Sequence, residues 1–197
     1  MTDVIETRPF PPFLPKNATV MTMGTFPPAS EKRSMKFHYP NFQNDMWRVY
    51  GIVFFDDKDY FRKGEEKAFD ADKIKAFLSE IGIASCPTVL KAIREKGNAS
   101  DAFLKVVEPV PLAEVLEQVP QCKHIGTTGG KATEILLSLL PEKVKLPKTG
   151  ETIPYVYNGR ELTLTRLPST SRAYPLSLAK KAEAYKNFFK ACGLITK

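Results

Sequence analysis

Cysteine and histidine are both scarce in this chain. The three cysteines, Cys86, Cys122 and Cys192, stand far apart and form no C-x-x-C pair. Three thiols cannot complete a four-cysteine zinc or iron–sulfur site, so neither a metal nor another cofactor is expected. An odd and sparse count fits a reducing compartment, and a cytoplasmic location is expected. The two histidines, His38 and His124, accompany no recognisable nucleophile elbow, which argues against serine or cysteine hydrolase chemistry. His124 opens a strand and reads as structural. His38 lies in an aromatic loop, where a pocket role and a packing role stand about equal. No apolar run approaches the roughly 20 residues of a bilayer span, so no membrane association is expected. The acidic start, Met1-Thr2-Asp3-Val4-Ile5-Glu6, runs into prolines and does not resemble a signal peptide.

What is present describes one domain over residues 1–197. Hydrophobic residues make up 43% and charged residues 26%, as in ordinary globular proteins. The net charge of +7 suits an anionic partner such as nucleic acid, although many basic proteins bind none. Residues 1–17 form an extended N-terminal arm, because the prolines between Arg8 and Pro15 fix φ and lack amide donors. Residues 18–23 read as a buried strand stopped by Gly24 and Pro27-Pro28, and residues 46–54 as a short helix or a helix–strand junction. Residues 56–67 are a charged, solvated insertion. Ile74, Phe77, Leu78 and Ile81 recur with helical spacing and Gly82 ends that helix; Leu112, Val115, Leu116 and Val119 repeat the pattern. A strand over 123–128, a Gly129-Gly130 turn and a helix over 131–140 follow. Tyr155 to Leu167 alternates around Asn158-Gly159 as a hairpin does, and Ser177 caps a last helix. Strands alternating with helices predict an α/β fold, a three-layer α/β/α sandwich with a mostly parallel central sheet of about four strands. Ligands of such sheets gather beyond the carboxyl ends of the strands.

Three stretches bear on chemistry. Gly126 to Ala132 fails the P-loop pattern, since three residues rather than four precede Gly130-Lys131 and Ala132 replaces Ser or Thr. A tight strand-to-helix turn is expected there instead. Phe37-His38-Tyr39-Pro40-Asn41-Phe42-Gln43-Asn44-Asp45-Met46-Trp47 mixes aromatics with amides. Flat rings can stack on a nucleobase and carboxamides can pair with its edge or hold a water, but on the residues alone an aromatic corner with amide turn residues is the favoured reading. Pro168-Ser169-Thr170-Ser171-Arg172 offers hydroxyls, backbone amides and a cation that can grip phosphates, or it is a plain turn before the last helix.

Taken in order, these segments resemble the uracil-DNA glycosylase superfamily, and most closely its mismatch-specific and hypoxanthine (deoxyinosine) branches. Gly24 and Pro27 match the Gly-x-x-Pro loop, and Asn44-Asp45-Met46-Trp47 is similar to the Asn-x-Phe-Trp signature. Arg94, Gly97, Ser100 and Asp101 resemble, with shifted spacing, a Gly-x-Ser-x-Asp-like stretch that follows a helix. Residues 125–132 resemble the strand-turn Asn-Gly-x-Lys-Ala, and residues 167–188 the second motif with its helix. The resemblance spans nearly the whole chain and implies a monomeric, monofunctional DNA glycosylase that removes deaminated bases, hypoxanthine or uracil, in base-excision repair. Its partner is DNA carrying a damaged or mismatched base. Gly24, Thr25, Phe26, Tyr39 and Thr128 would bind the base, Tyr39 by stacking. Pro27, Ser169, Thr170, Ser171 and Arg172 would contact DNA, with Arg172 as wedge or phosphate clamp. Phe26 stands where mismatch-type enzymes carry a catalytic Asn, which moves that role to Asn44. Thr128 stands where the hypoxanthine branch has Asn. These two departures leave open a family member that binds damaged DNA without cutting it.

Overall fold

The computed structural model describes residues 3–95 and 104–196. Its central sheet is built around β2 (Val20–Met23), a short strand with every residue buried. Alternate residues of β2 point to opposite faces: Val20 packs into one apolar cluster, Met21 and Met23 into the other. On one side β2 pairs in parallel with β3 (Ile83–Ser85). On the other it pairs in parallel with β6 (His124–Thr128), with Met23 opposite Thr127. β6 pairs in parallel with β8 (Arg160–Leu167), and β7 (Thr152–Tyr157) closes the edge antiparallel to β8. The sheet therefore has five strands in the order β3-β2-β6-β8-β7. It is one strand wider than expected because Ile83–Ser85 is too short to show a period.

Helices cover both faces. α1 (Met46–Phe55), α2 (Ala71–Ile81) and α5 (Leu178–Ala191) enclose an aromatic cluster containing Trp47, Tyr50, Phe61, Phe69, Tyr185, Phe188 and Phe189. α3 (Leu112–Gln118) and α4 (Gly130–Ser138) cover the other face with mainly aliphatic side chains, among them Leu112, Leu116, Leu136 and Leu140. The three-layer α/β/α architecture is thus present. Local signals place the helix ends. Asp70 accepts a hydrogen bond from Lys73 N, Gly82 stops α2 with φ +83°, and Ser177 accepts from Lys180 N at the start of α5.

A second, antiparallel sheet was not expected from the sequence. β4 (Val89–Arg94) pairs with β5 (Leu104–Pro109) and with β1 (Ile5–Thr7), so part of the N-terminal arm is a strand. The expected helix before the Gly-x-Ser-x-Asp-like stretch is absent, since β3 and β4 occupy that ground; Gly97, Ser100 and Asp101 lie outside the described residues. Most of residues 56–67 is exposed, as expected of a solvated insertion, but Phe61 is fully buried. Its ring lies 6.4 Å from Trp47 and 5.4 Å from Phe77, which pins the insertion to the aromatic layer. Among the described residues no helix is long and apolar enough to cross a membrane.

Candidate active site

Four parallel strands end at one rim, and the residues just beyond them converge. Gly24 follows β2, Pro87 follows β3, Thr128 ends β6 and Ser169 follows β8; all line a cavity of about 580 Å³. The lining also takes in Thr25, Phe26, Pro27, Tyr39, Asn44, Thr170 and Ser171. Every residue picked from the sequence therefore borders this cavity except Arg172.

Tyr39 and Gly24 are fitted to each other. A Cβ on Gly24 would lie 2.5 Å from the Tyr39 hydroxyl and 3.3 Å from Thr128 Oγ1, so only glycine leaves the ring its place. The Tyr39 hydroxyl is 3.0 Å from Thr128 Oγ1, and its ring meets Trp47 edge-on at 6.0 Å. Tyr39 holds φ +53°, a left-handed conformation unusual for a bulky residue and worth about 1–3 kcal/mol of strain. The chain accepts that strain to turn the ring toward Gly24.

Asn44 sits just ahead of α1. Its Oδ1 accepts from Met46 N at 2.9 Å, and because a backbone N–H can only donate, this contact fixes which side-chain atom is the oxygen. Among the described residues Nδ2 has no hydrogen-bond partner, so its two donors and the second Oδ1 lone pair remain for a ligand or a water. The next residue, Asp45, is buried and collects three cations. Lys181 Nζ donates to its Oδ2 at 3.2 Å, Arg172 Nε is 3.4 Å from Oδ1, and Arg48 Nη1 is 3.6 Å from Oδ1. Lys181 is only 1% exposed and also donates to Ser171 O at 3.0 Å. Asp45 N donates to Thr170 O at 2.9 Å. The Asn44 loop and the Ser169–Ser171 loop are thereby tied into one unit. Burial, and next the like charge of Arg172, lower the Arg48 pKa, while Asp45 opposes them.

Arg172 is bound rather than free: it holds Asp45 and donates to Gln43 Oε1 at 2.8 Å, with half of its side chain exposed. Phe26 packs beside Val89, Ala92 and Leu104, with the Arg94 guanidinium 5.3 Å from its ring centroid. It presents no polar group to the cavity.

His38 is packed into the cavity wall with both ring nitrogens bonded to the protein. His38 lines the cavity yet is only 4% exposed. Its Nε2 lies 2.8 Å from Pro11 O and its Nδ1 2.7 Å from Ser85 Oγ. A carbonyl only accepts, so Nε2 carries the proton and Nδ1 accepts from the serine. Burial lowers its pKa to about 4. His124 is structural, with Nδ1 2.7 Å from Thr163 Oγ1 across the β6–β8 pair. Among the described residues no three His, Cys, Asp or Glu side chains are grouped as a metal site.

Sequence reasoning missed Asp45, Lys181 and Arg8. Lys181 follows Lys180 on a helix and reads as a solvated charge; only its packing behind Asp45 shows otherwise. Arg8 belongs to the arm, which lines the cavity through Arg8, Pro9 and Phe10.

No protein-family model matches the sequence, and no curated protein matches it. Among the solved structures that match is a solution NMR structure from Methanosarcina acetivorans, described as a "putative Uracil DNA glycosylase". It is 20% identical, with a TM-score of 0.64 over 96% of this chain and 99% of that one. At that identity the likeness establishes the fold.

Proposed function

We propose that this chain, which has a uracil-DNA glycosylase-like fold, is a monofunctional DNA glycosylase that hydrolyses the N-glycosidic bond of deaminated bases, hypoxanthine or uracil. The observation that carries this reading is the meeting of Asn44, Tyr39, Gly24 and Thr128 in one cavity bordered by the Ser169–Ser171 loop. A base inside a duplex is out of reach, so the target nucleotide must swing into that cavity. Tyr39 offers a ring for stacking, and Thr128, bonded to it, sets the ring's position. The carbon–nitrogen bond breaks with its electron pair leaving on the base, while water adds to the sugar carbon and gives up a proton. Because the sugar passes through an oxocarbenium-like state, water needs positioning more than a strong base. Asn44 suits that role, since its oxygen is held by Met46 N and its amide donors can reach a water or the departing base. No Asp or Glu lines the cavity among the described residues, in keeping with an amide-based mechanism. On its wall, Pro27, Ser169 and Ser171 would meet the DNA backbone, with Arg172 at the edge; Thr170 is only 2% exposed and instead ties the loop to Asp45 through its carbonyl.

The decisive assay offers duplex and single-stranded oligonucleotides carrying uracil, inosine or a G·T mismatch, followed by alkali to cut abasic sites. Strand cleavage on the uracil or inosine substrate is expected. No cleavage on any substrate at high protein concentration would sink the proposal. Apolar Phe26 and the replacement of an amide by Thr128 favour one other reading, a protein that binds damaged DNA without cutting it. That reading expects DNA binding that weakens with salt and yields no abasic product.

A further inference from the structure

Charge on the cavity wall is one-sided. The lining carries Arg8 and Lys32 and, among the described residues, no carboxylate. Lys32 is exposed, whereas Arg8 reaches inward from the residue after β1. Its backbone N donates to Leu90 O at 2.8 Å, which fixes the arm beside β4. Its positive charge acts on two buried neighbours: it partly offsets the burial that raises the Cys86 pKa, and it adds to the burial that lowers the pKa of His38. One nitrogen, Nη1, is sealed from solvent without a hydrogen-bond partner. Among the described residues no carboxylate pairs with Arg8. Glu6, two residues away, lies 2.7 Å from Arg94 Nε instead.

Arg8 is half-buried, and its sealed nitrogen has lost hydration without gaining an acceptor or a counter-charge, which is unfavourable until an anion arrives. His38 cannot share the work, because its Nε2 proton is committed to Pro11 O and it stays neutral down to about pH 4. Arg8 is the one inner cation of the described lining.

We propose that Arg8 binds the negative charge of the departing base, an inference that rests on the glycosylase reading. When the carbon–nitrogen bond breaks, its electron pair spreads onto the ring nitrogens and carbonyl oxygens of the base. A guanidinium can donate to those oxygens until water protonates the ring nitrogen. Depth selects the base over a backbone phosphate. Arg8 adjoins Cys86 and His38, both almost fully buried, while Lys32 and Arg172 are the exposed cations that a phosphate meets first. The N-terminal arm is then part of the site and not only a wrapping for the domain.

The test compares the full-length protein with its R8K and R8Q variants by ultraviolet difference titration. The ligands are 5-nitrouracil, which is anionic at neutral pH, and uracil, which is not. The unaltered protein is expected to bind the anion roughly 10- to 100-fold more tightly than uracil. R8K should keep most of that preference and R8Q lose it. Equal affinity for the two ligands, or an undiminished preference in R8Q, overturns the proposal whether or not bases are released. Inorganic phosphate should not displace 5-nitrouracil; displacement that R8Q abolishes would assign the cation to phosphate and overturn it. A kinetic arm follows release of uracil and of 5-fluorouracil from DNA in a single turnover. R8Q should slow uracil release more, because the more acidic fluorinated base needs less help. Equal slowing of the two overturns the proposal. Anion preference without any base release would support the anion site and sink the glycosylase reading instead.

Discussion

Two loops border the cavity from similar places in the fold, and they are built in opposite ways. The Gly24–Pro28 loop offers shape: Gly24 yields its side-chain space to Tyr39, and Phe26 spends its ring on packing with Arg94. The Asn41–Asp45 loop carries the Asn44 amide and stands on buried charge, with Asp45 held by Lys181, Arg172 and Arg48. Where one loop presents no amide, the other carries one on a rigid anchor. A side chain that positions a water must be fixed to a fraction of an ångström, and a buried ion cluster behind it does that better than a surface turn.

The contrast is most severely tested at Asp45. D45N leaves Lys181 buried without its counter-charge and should destabilise the fold by about 3–5 kcal/mol in a urea titration. K181M should cost clearly less, because Arg48 and Arg172 remain on the carboxylate; equal losses would refute the hub. N44A comes next. Base release should fall by roughly 10²–10³-fold, as for other lost site donors, while the lost Met46 contact lowers stability by only about 1 kcal/mol. An unaffected rate in single-turnover cleavage would remove Asn44 from the site.

His38 gives a pH test of the wall shared with the arm. Its folded pKa of about 4 lies below the usual 6.5, so the unfolded chain binds the extra proton between those values. Its contribution is complete above about pH 6.5 and is lost as pH falls toward 4, up to ~3 kcal/mol in all. H38Q should flatten that part of the acid-unfolding curve; an unchanged curve would show that other groups set it.

On the shape-giving loop the effects should be smaller. G24A forces Tyr39 away from Thr128 and should cost about 1–3 kcal/mol of stability, read as a lowered melting temperature. F26N should change base release by no more than about twofold, equivalent to ~0.5 kcal/mol. A large gain in rate from F26N would mean that this loop can host the amide after all, and the contrast between the loops would collapse.

Legibility followed the range of the interactions. The α2 helix, the Asn158-Gly159 hairpin and the Ser177 cap were readable because period, turn residues and capping groups act within a few positions. β3, with three residues, and β1, formed by residues read as plain arm, were not readable, because short strands are defined by the neighbours they pair with. The same limit applies in the site. Asn44, Tyr39 and the Ser169–Ser171 loop stood out through residue types in sequence order, whereas Lys181 looked like any lysine on an exposed helix.

The sequence by itself determined the alternation of strands and helices, the glycine and prolines that shape the Gly24–Pro28 loop, and the amide and aromatic residues near Asn44. These depend on local backbone preference and on side-chain chemistry. Only the tertiary structure decided that Asp45 holds Lys181 from 136 positions away, that Tyr39 rests on Thr128 across 89, and that Arg8 lines the cavity with no carboxylate beside it among the described residues. The cost of a buried charge or hydroxyl depends on what surrounds it in space, and distance along the chain does not encode that.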